Sequence, residues 1–587
     1  MTTPHASAEH APMPPLGKTK SRRRHDFDAL RAFAMLLGIA LHAGLAFAPI
    51  PWLAMNDATS PAIGLFIEVL HVFRLPIFFL MSGFFSAMLL SRRGIAGFLT
   101  QRSKRIALPL LLGTLTIVPA MWGVIIGGHA LQQMRPPPTR AWAAPEPTDV
   151  TMWSAAAAGD LDEVRALARD GTPVNAPDPR FGTLPLAWAA TGDHDEIVAF
   201  LLDRGADPNQ TMIDDNTPMH TACFFGANRS FALMLAAGGD PTRPNTHAET
   251  PVDATRHDEG AVAFIANLLG VEADFERVES GREKILASLD SASATPSGRS
   301  QAMARLVSLL TGELFMHLWF LWQLCWLTCG LVAVRLVTRR LPWKRVPEIA
   351  VATPLCLLAL VPLTTLTQSW QANFGPDTSA AFIPAPHVLA HYAVFFGFGA
   401  VMHASSRAAD RLGRVWWAHL VVATISCVLA LQLLHNHSAP ILQGLNGATR
   451  DWLGALTQSV FVWTTAIGLM GLVRRTLDRP STWIRYVADS SYWLYVVHLP
   501  IILAGQFALA YVSLPPAVEF AILTTTTTVV LLLSYQWLVR YTWIGRLLNG
   551  RRTRPSSKPA SAGVTGRSTA AEPTDSRATG THASGDA

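Results

Sequence analysis

Residues 26–42 read DFDALRAFAMLLGIALH and open an apolar segment that continues to Ala48. The segment is long enough to enter a bilayer, yet it carries Asp28, Arg31 and His42. Ionisable groups at membrane depth are expensive, and a helix that keeps them turns them toward a protein interior or a polar cavity. Arg31 and His42 stand eleven positions apart; at about 100° and 1.5 Å per residue they lie within about 20° of each other and about 16 Å apart along the axis. One helix face therefore presents a fixed cation near its entry and an imidazole deeper in. Two readings of that face stay open at this point: a functional pair, or an interfacial Asp28–Arg31 pair with a core histidine.

Working outward, half of the 587 residues are apolar, and the mean hydropathy is +0.27. Runs of about 20 apolar residues recur, which indicates a polytopic membrane protein. The net charge of +6 does not point to nucleic acid, because Lys and Arg sit in short clusters flanking the apolar runs. Such clusters follow membrane topology. Cys325, Cys329, Cys356 and Cys427 lie in apolar segments and only Cys223 in a polar one, so there is neither a disulfide framework nor a zinc pattern. Cys325 and Cys329 are read as packing residues.

The expected fold is all-α, a bundle of about ten transmembrane helices with an inserted α-solenoid. Residues 1–24 read as a disordered cytoplasmic lead-in. Residues 25–137 hold three spans: the first is uncleaved, the second (63–90, with His71, Arg74 and a break at Pro76) runs into Arg92, Arg93, Arg102, Lys104 and Arg105, and the third starts at Ile106. Residues 304–548 hold seven more, near 314–336, 349–368, 387–404, 416–434, 454–473, 490–511 and 517–538. Residues 549–587 form a disordered tail. Alternating loops carry several basic residues or almost none, Arg450 being the exception, which places both termini in the cytoplasm.

Residues 138–303 differ in character. Pro185, Pro218 and Pro251 recur every 33 residues, as do Gly205 and Gly238, within LPLAWAA, TPMHTAC, TPVDATR, GADPN and GGDPT. These stretches resemble ankyrin repeats, whose helix pairs bury their apolar faces only against neighbours. Residues 150–178 read as a degenerate first repeat and 248–270 as a truncated last one, giving about four. The charge pattern puts this module on the periplasmic side, and 287–301 read as a tether back to the membrane. Ankyrin stacks bind rather than catalyse, so His194, His220 and Asp207 are assigned to repeat architecture. His220 occupies the position whose side chain secures the turn.

Elsewhere, polar groups at membrane depth are few: His71 and Arg74 in HVFRLPIFF, Ser82–Gly83 in the middle of the second span, His317 in HLWFL and His498 in SYWLYVVHLP. Each also has a packing explanation: interfacial anchors for Arg74 and His317, a close helix contact for Ser82–Gly83, a buried packing residue for His498. No Walker loop, HExxH, GxSxG or heptad run is present, which sets aside ATP-driven export, zinc proteolysis and α/β-hydrolase chemistry.

In this order and with these gaps, Asp28-Ala-Leu-Arg31 with His42, His71-Val-Phe-Arg74, FFLMSGFF at 78–85, Arg102-Ser-Lys-Arg105-Ile-Ala-Leu-Pro109, HLWFL at 317–321 and SSYWLYVVH ending at His498 resemble the integral-membrane acyltransferase 3 family. Within it the resemblance is to the glucan biosynthesis protein C type, which succinylates periplasmic glucans. That resemblance implies an acyltransferase of the bacterial inner membrane, with acyl-CoA as the donor substrate, no permanently bound cofactor and no metal. The group moved would be succinyl or acetyl, and the acceptor a hydroxyl of a periplasmic or envelope glycan. It makes His42 the general base or transient acyl carrier, since imidazole suits that work near neutrality. Arg31 would orient the donor or stabilise negative charge. Asp28, His71, Arg74 and His317 join the candidate catalytic set; Arg102, Arg105 and Ser82 are candidate donor contacts, although positive-inside topology explains the two arginines equally well. The ankyrin insertion departs from the family's pattern and offers a surface for a protein partner or the glycan. A transporter for a glycan or lipid-linked substrate, and a membrane-anchored ankyrin interaction protein, are the alternative readings.

Overall fold

The computed structural model describes residues 24–48, 52–54, 59–135, 137, 151–178, 181–212, 215–245, 249–271, 273–290, 314–338, 351–371, 374–405, 408–435 and 446–549. Among them all regular structure is helical. The first membrane part holds α1 (His25–Gly44), α2 (Pro61–Arg102) and α3 (Leu108–Met134). The repeat module holds α4 (Met152–Ala158), α5 (Leu161–Arg169), α6 (Pro185–Thr191), α7 (Asp195–Asp203), α8 (Pro218–Phe224), α9 (Asn228–Ala236), α10 (Glu259–Leu269) and α11 (Phe275–Asp290). The second membrane part holds α12 (Trp319–Thr338), α13 (Leu357–Gln368), α14 (Pro386–Met402), α15 (Trp416–His435), α16 (Gly447–Leu477), α17 (Thr482–Leu509) and α18 (Pro516–Ser534).

Seven helical stretches are long and apolar enough to cross a membrane, and one of them, Pro61–Gln132, is 72 residues long. At 1.5 Å per residue such a stretch far exceeds the roughly 30 Å of a hydrocarbon core, so it has the length for more than one crossing. Two further apolar helices, Pro354–Gln368 and Pro386–Met402, are shorter. Length and composition thus support a helical membrane bundle without fixing its number of crossings at ten.

α1 occupies the centre, against α2, α16, α17 and α18. Its apolar residues Phe27, Leu30, Met35, Ile39 and Leu41 are all buried, which is why a segment carrying ionisable groups avoids facing lipid. Asp26 and Asp28 in the first turn suit the positive end of the helix dipole.

The expected break at Pro76 is absent: α2 continues through it. A proline removes one backbone hydrogen bond but membrane helices tolerate that where neighbours pack around it. The chain bends instead at Gly94, whose φ of +65° is a conformation that a side chain disfavours. Beyond it the basic segment runs through a π-turn at Ser103–Ala107 into α3. α2 packs on α14 almost backbone to backbone: a Cβ on Gly83 would stand 1.9 Å from the Phe396 carbonyl oxygen, and one on Gly399 2.0 Å from that of Leu80. Small residues permit such approaches.

At one end of the bundle, Arg24 binds Asp26 at 2.6 Å, and Arg474 reaches both Asp26 at 3.4 Å and Asp410 at 2.5 Å. At the other end His129 bonds the Leu53 carbonyl at 3.0 Å, and the Tyr511 hydroxyl donates to the Arg135 carbonyl at 2.9 Å.

The repeat module has a core of its own, built on Met152, Val164, Leu186, Ile197, Leu201, Met219, Phe231 and Met234. Three helix pairs, α4/α5, α6/α7 and α8/α9, stack in order. In the last unit a 3-10 turn at Asp253–Arg256 replaces the first helix before α10. Gly205 and Gly238, at φ +86° and +87°, turn the chain after α7 and α9. His220 accepts the Thr217 amide hydrogen bond at 3.0 Å and bonds the Glu249 carbonyl, also at 3.0 Å, tying one repeat to the next. His194 makes the same kind of link to the Ala157 carbonyl at 3.1 Å. Cys223 lies in this core, where burial pushes its thiol up.

One expectation needs correction here. Residues 287–290, assigned to a tether, are the last turn of α11, and 291–301 lie outside the described residues. α11 caps the stack because Arg282, itself buried, donates to the carbonyls of Phe224 at 3.1 Å and His257 at 2.6 Å.

Candidate active site

A cavity of about 1010 Å³ opens in the membrane part. Of the residues singled out from the sequence, Arg31, His42, His71, Arg74, Ser82, Arg102, Arg105 and His317 all line it. Asp28, part-buried in the first turn of α1, is not among the lining residues. Cys325 and Cys329 are not in the lining; the first packs against the core and the second is exposed on the outer face of α12.

The basic end is built by α1, α2 and the π-turn. Arg31 lies over the Phe85 ring at 5.6 Å. Arg102 donates to the Ser86 hydroxyl at 2.7 Å, while its Nε is buried without a hydrogen-bond partner among the described residues. Gln101 and Arg105 complete this wall.

Arg74 occupies the middle. It is buried, its Nε has no hydrogen-bond partner among the described residues, and its guanidinium lies across α1 where residue 38 is glycine. A Cβ at Gly38 would stand 2.6 Å from Arg74 Nη1. The sequence supplies both residues, but nothing in their spacing announces that one makes room for the other. His71, one turn earlier on α2, bonds the Pro376 carbonyl at 2.9 Å. That carbonyl is held in turn by the Gly375 loop, whose amide donates to Gln458 at 2.7 Å.

The other end gathers three imidazoles from distant parts of the chain. The His42 and His498 rings stand 5.0 Å apart, and His317 packs edge-on against His498 at 5.4 Å. His317 sits in the 3-10 turn Met316–Leu318, whose first residue, Met316, has a φ of +44°, unusual for a residue with a side chain. Two bonds to α17 hold that turn: His317 to the Val496 carbonyl at 3.1 Å, and the Tyr495 hydroxyl to the His317 carbonyl at 2.7 Å. Gln506 donates to the His42 carbonyl at 3.0 Å and accepts from Trp52 at the same distance, which anchors the end of α1 beneath the indole.

His498 stands out in the sequence as a membrane-depth polar group outside the candidate set, and Tyr495, Trp52 and Glu68 do not stand out there; all four line the cavity. The three-residue step from Tyr495 to His498, and from Glu68 to His71, puts each pair on one helix face and was the signal available. Among the described residues no cluster of His, Cys, Asp or Glu could hold a metal ion. The wall thus offers guanidinium groups for anions at one end and imidazole bases at the other, with Glu68 the one carboxylate among the described lining residues.

The sequence is similar to family models at two places. A model of ankyrin repeats, three copies, matches residues 152–245. A model of the acyltransferase 3 domain matches residues 24–157 and 268–536. Among curated proteins, glucans biosynthesis protein C of Salmonella typhimurium is 36% identical over 89 residues, 15% of this chain and 23% of that protein. Its counterpart in Escherichia coli K12 is 34% identical over 91 residues, 16% and 24% of the respective chains. The matched part spans about a quarter of those relatives. Because the acyltransferase 3 model covers well over half of the sequence, on both sides of the repeats, the chain belongs to the acyltransferase 3 family.

Proposed function

We propose that this acyltransferase carries an acyl group, succinyl or acetyl, from a cytoplasmic acyl-CoA to a hydroxyl of a periplasmic or envelope glycan, working in the bacterial inner membrane. The observation that carries the reading is the shared cavity with a basic end and an imidazole end. Arg102, Arg105 and Arg31 suit the phosphates and amides of the donor, and the pantetheine arm would lead the thioester past Arg74 toward His42. There the hydroxyl, with a pKa far above 7, needs a base within hydrogen-bond reach. The glycan acceptor is supported by the similarity to proteins named for glucan biosynthesis.

Sidedness has support from contacts at the two ends. Segments that the charge pattern assigns to the cytoplasm, around Arg24, Asp410 and Arg474, meet in one ion network. Arg135, where the chain leaves α3 toward the repeats, is bonded at the opposite end. Both termini are then cytoplasmic and the ankyrin module periplasmic, on the side where it would meet the glycan or a protein partner.

The test is His42→Ala. Ester content of periplasmic glycans should fall to background while the variant still inserts in the membrane at normal abundance. Undiminished ester content overturns the reading.

A further inference from the structure

In a neutral imidazole one nitrogen carries the hydrogen and the other a lone pair, so a carbonyl partner, which can only accept, decides which is which. His498 Nδ1 lies 2.7 Å from the Tyr495 carbonyl, one turn back on α17. That nitrogen therefore carries the hydrogen and Nε2 the lone pair. His498 is 1% exposed, and its Nε2 is buried with no hydrogen-bond partner among the described residues. The Nδ1 of His42 is buried and unpartnered in the same way. Two orphaned ring nitrogens thus belong to adjacent rings whose centroids are 5.0 Å apart; no hydrogen bond joins them as the rings stand, and at that separation a turn of the His42 ring brings its Nδ1 within reach of His498 Nε2. Buried polar atoms are costly to leave unmade, and here each supplies what the other lacks.

We propose that His498 is a positioning residue for acyl transfer: on a turn of the His42 ring during the reaction its Nε2 accepts the Nδ1 hydrogen of His42, fixing that ring so that the His42 Nε2 is the lone pair presented to the acceptor hydroxyl. The proposal rests on the reading of His42 as the base. The chain of groups runs from the Tyr495 carbonyl through His498 and His42 to the hydroxyl, with His317 packed on the far side of His498. In the transfer the hydroxyl oxygen bonds to the thioester carbonyl carbon while its proton passes to His42 Nε2. The carbon–sulfur bond then breaks and the proton goes from His42 to the leaving thiolate. The products are an ester and a free thiol, and no other reactant is required. A neighbour that holds one imidazole nitrogen sets which nitrogen is basic and where it points, the role a carboxylate plays in the serine hydrolase triad.

The experiment uses the full chain in detergent, with succinyl-CoA and acetyl-CoA as donors and a β-glucan oligosaccharide as acceptor, reading thiol release and ester formation. His498→Ala is expected to lower kcat by about a hundredfold with the donor KM little changed. His498→Gln, whose amide oxygen still accepts a hydrogen bond, should recover a substantial part of the loss, and so should imidazole added to His498→Ala. Wild-type kcat in His498→Ala overturns the proposal. So does a loss that neither glutamine nor imidazole recovers, because that pattern marks a packing role. His42→Ala separates the two claims: full activity there sinks the base itself, whereas an inactive His42→Ala beside a fully active His498→Ala sinks only the positioning role.

Discussion

At the scale of single residues, the cavity is shaped by what is small as much as by what is charged. Gly38 leaves space on the face of α1 that Arg74 fills, and a Cβ there would come within 2.6 Å of the guanidinium. Gly38→Leu should therefore push Arg74 from its place without removing any polar group. A displacement of about 1 Å in a positioned group costs on the order of a hundredfold in rate, and kcat/KM for acyl transfer is expected to fall by that order while insertion is retained. Unchanged kinetics would show that Arg74 has no part in the reaction. Arg31 and His42 were legible in the sequence because two ionisable groups on one face of an apolar helix stand out. Arg74, His317 and His498 were legible singly as polar groups at membrane depth, but their meeting with His42 on one cavity was not, since separate elements bring them in.

At the scale of elements, α2 and α14 touch through Gly83 and Gly399, so the packing reading of Gly83 holds while the neighbouring Ser82 lines the cavity. Gly83→Val places side-chain atoms against the Phe396 carbonyl, and overpacking of this kind costs about 1–3 kcal/mol or more. The expected outcome is a lower thermal unfolding midpoint in detergent, larger than that of Gly123→Val on α3, where an added Cβ meets nothing within 4 Å. In the repeat module, burial pushes the Glu249 carboxyl up, but the 2.6 Å hydrogen bond and charge of His257 outweigh it and hold its pKa below the ordinary 4.5. A depressed folded-state pKa gives stability that is present above the unfolded value and lost as pH falls through the folded one. Hydrogen exchange in the 249–257 segment should therefore speed up as pH drops below about 4.5 relative to its intrinsic rate, and Glu249→Gln should flatten that dependence. The repeat period itself was plain from the sequence, because prolines and glycines mark each turn. The capping helix α11 was not, because it carries no repeat signal and is held by Arg282.

At the scale of the whole molecule, the membrane and repeat cores share no residue. The proposed function puts the chemistry in the membrane part, whose residues line the cavity, and gives the module the task of holding the acceptor or a partner. Deleting residues 145–300 is expected to leave thiol release with a small oligosaccharide acceptor intact while lowering ester content on cellular glycans. Retention of full cellular activity would deny the module that role. A periplasmic phosphatase reporter placed within residues 138–303 should be active and the same reporter at the C-terminus silent; the reverse pattern overturns the sidedness.

By itself the sequence determined that this is an apolar helical membrane protein interrupted by ankyrin repeats, because periodicity, basic flanks and turn residues are local properties of a chain. It also singled out Arg31 and His42 as one helix face, and both line the cavity. Only the tertiary structure decided that α2 bends at Gly94 rather than Pro76, that Arg74 nests against Gly38, and that His42, His317 and His498 face one cavity. Those outcomes depend on how separate helices pack, and packing joins residues hundreds of positions apart whose spacing carries no record of the contact.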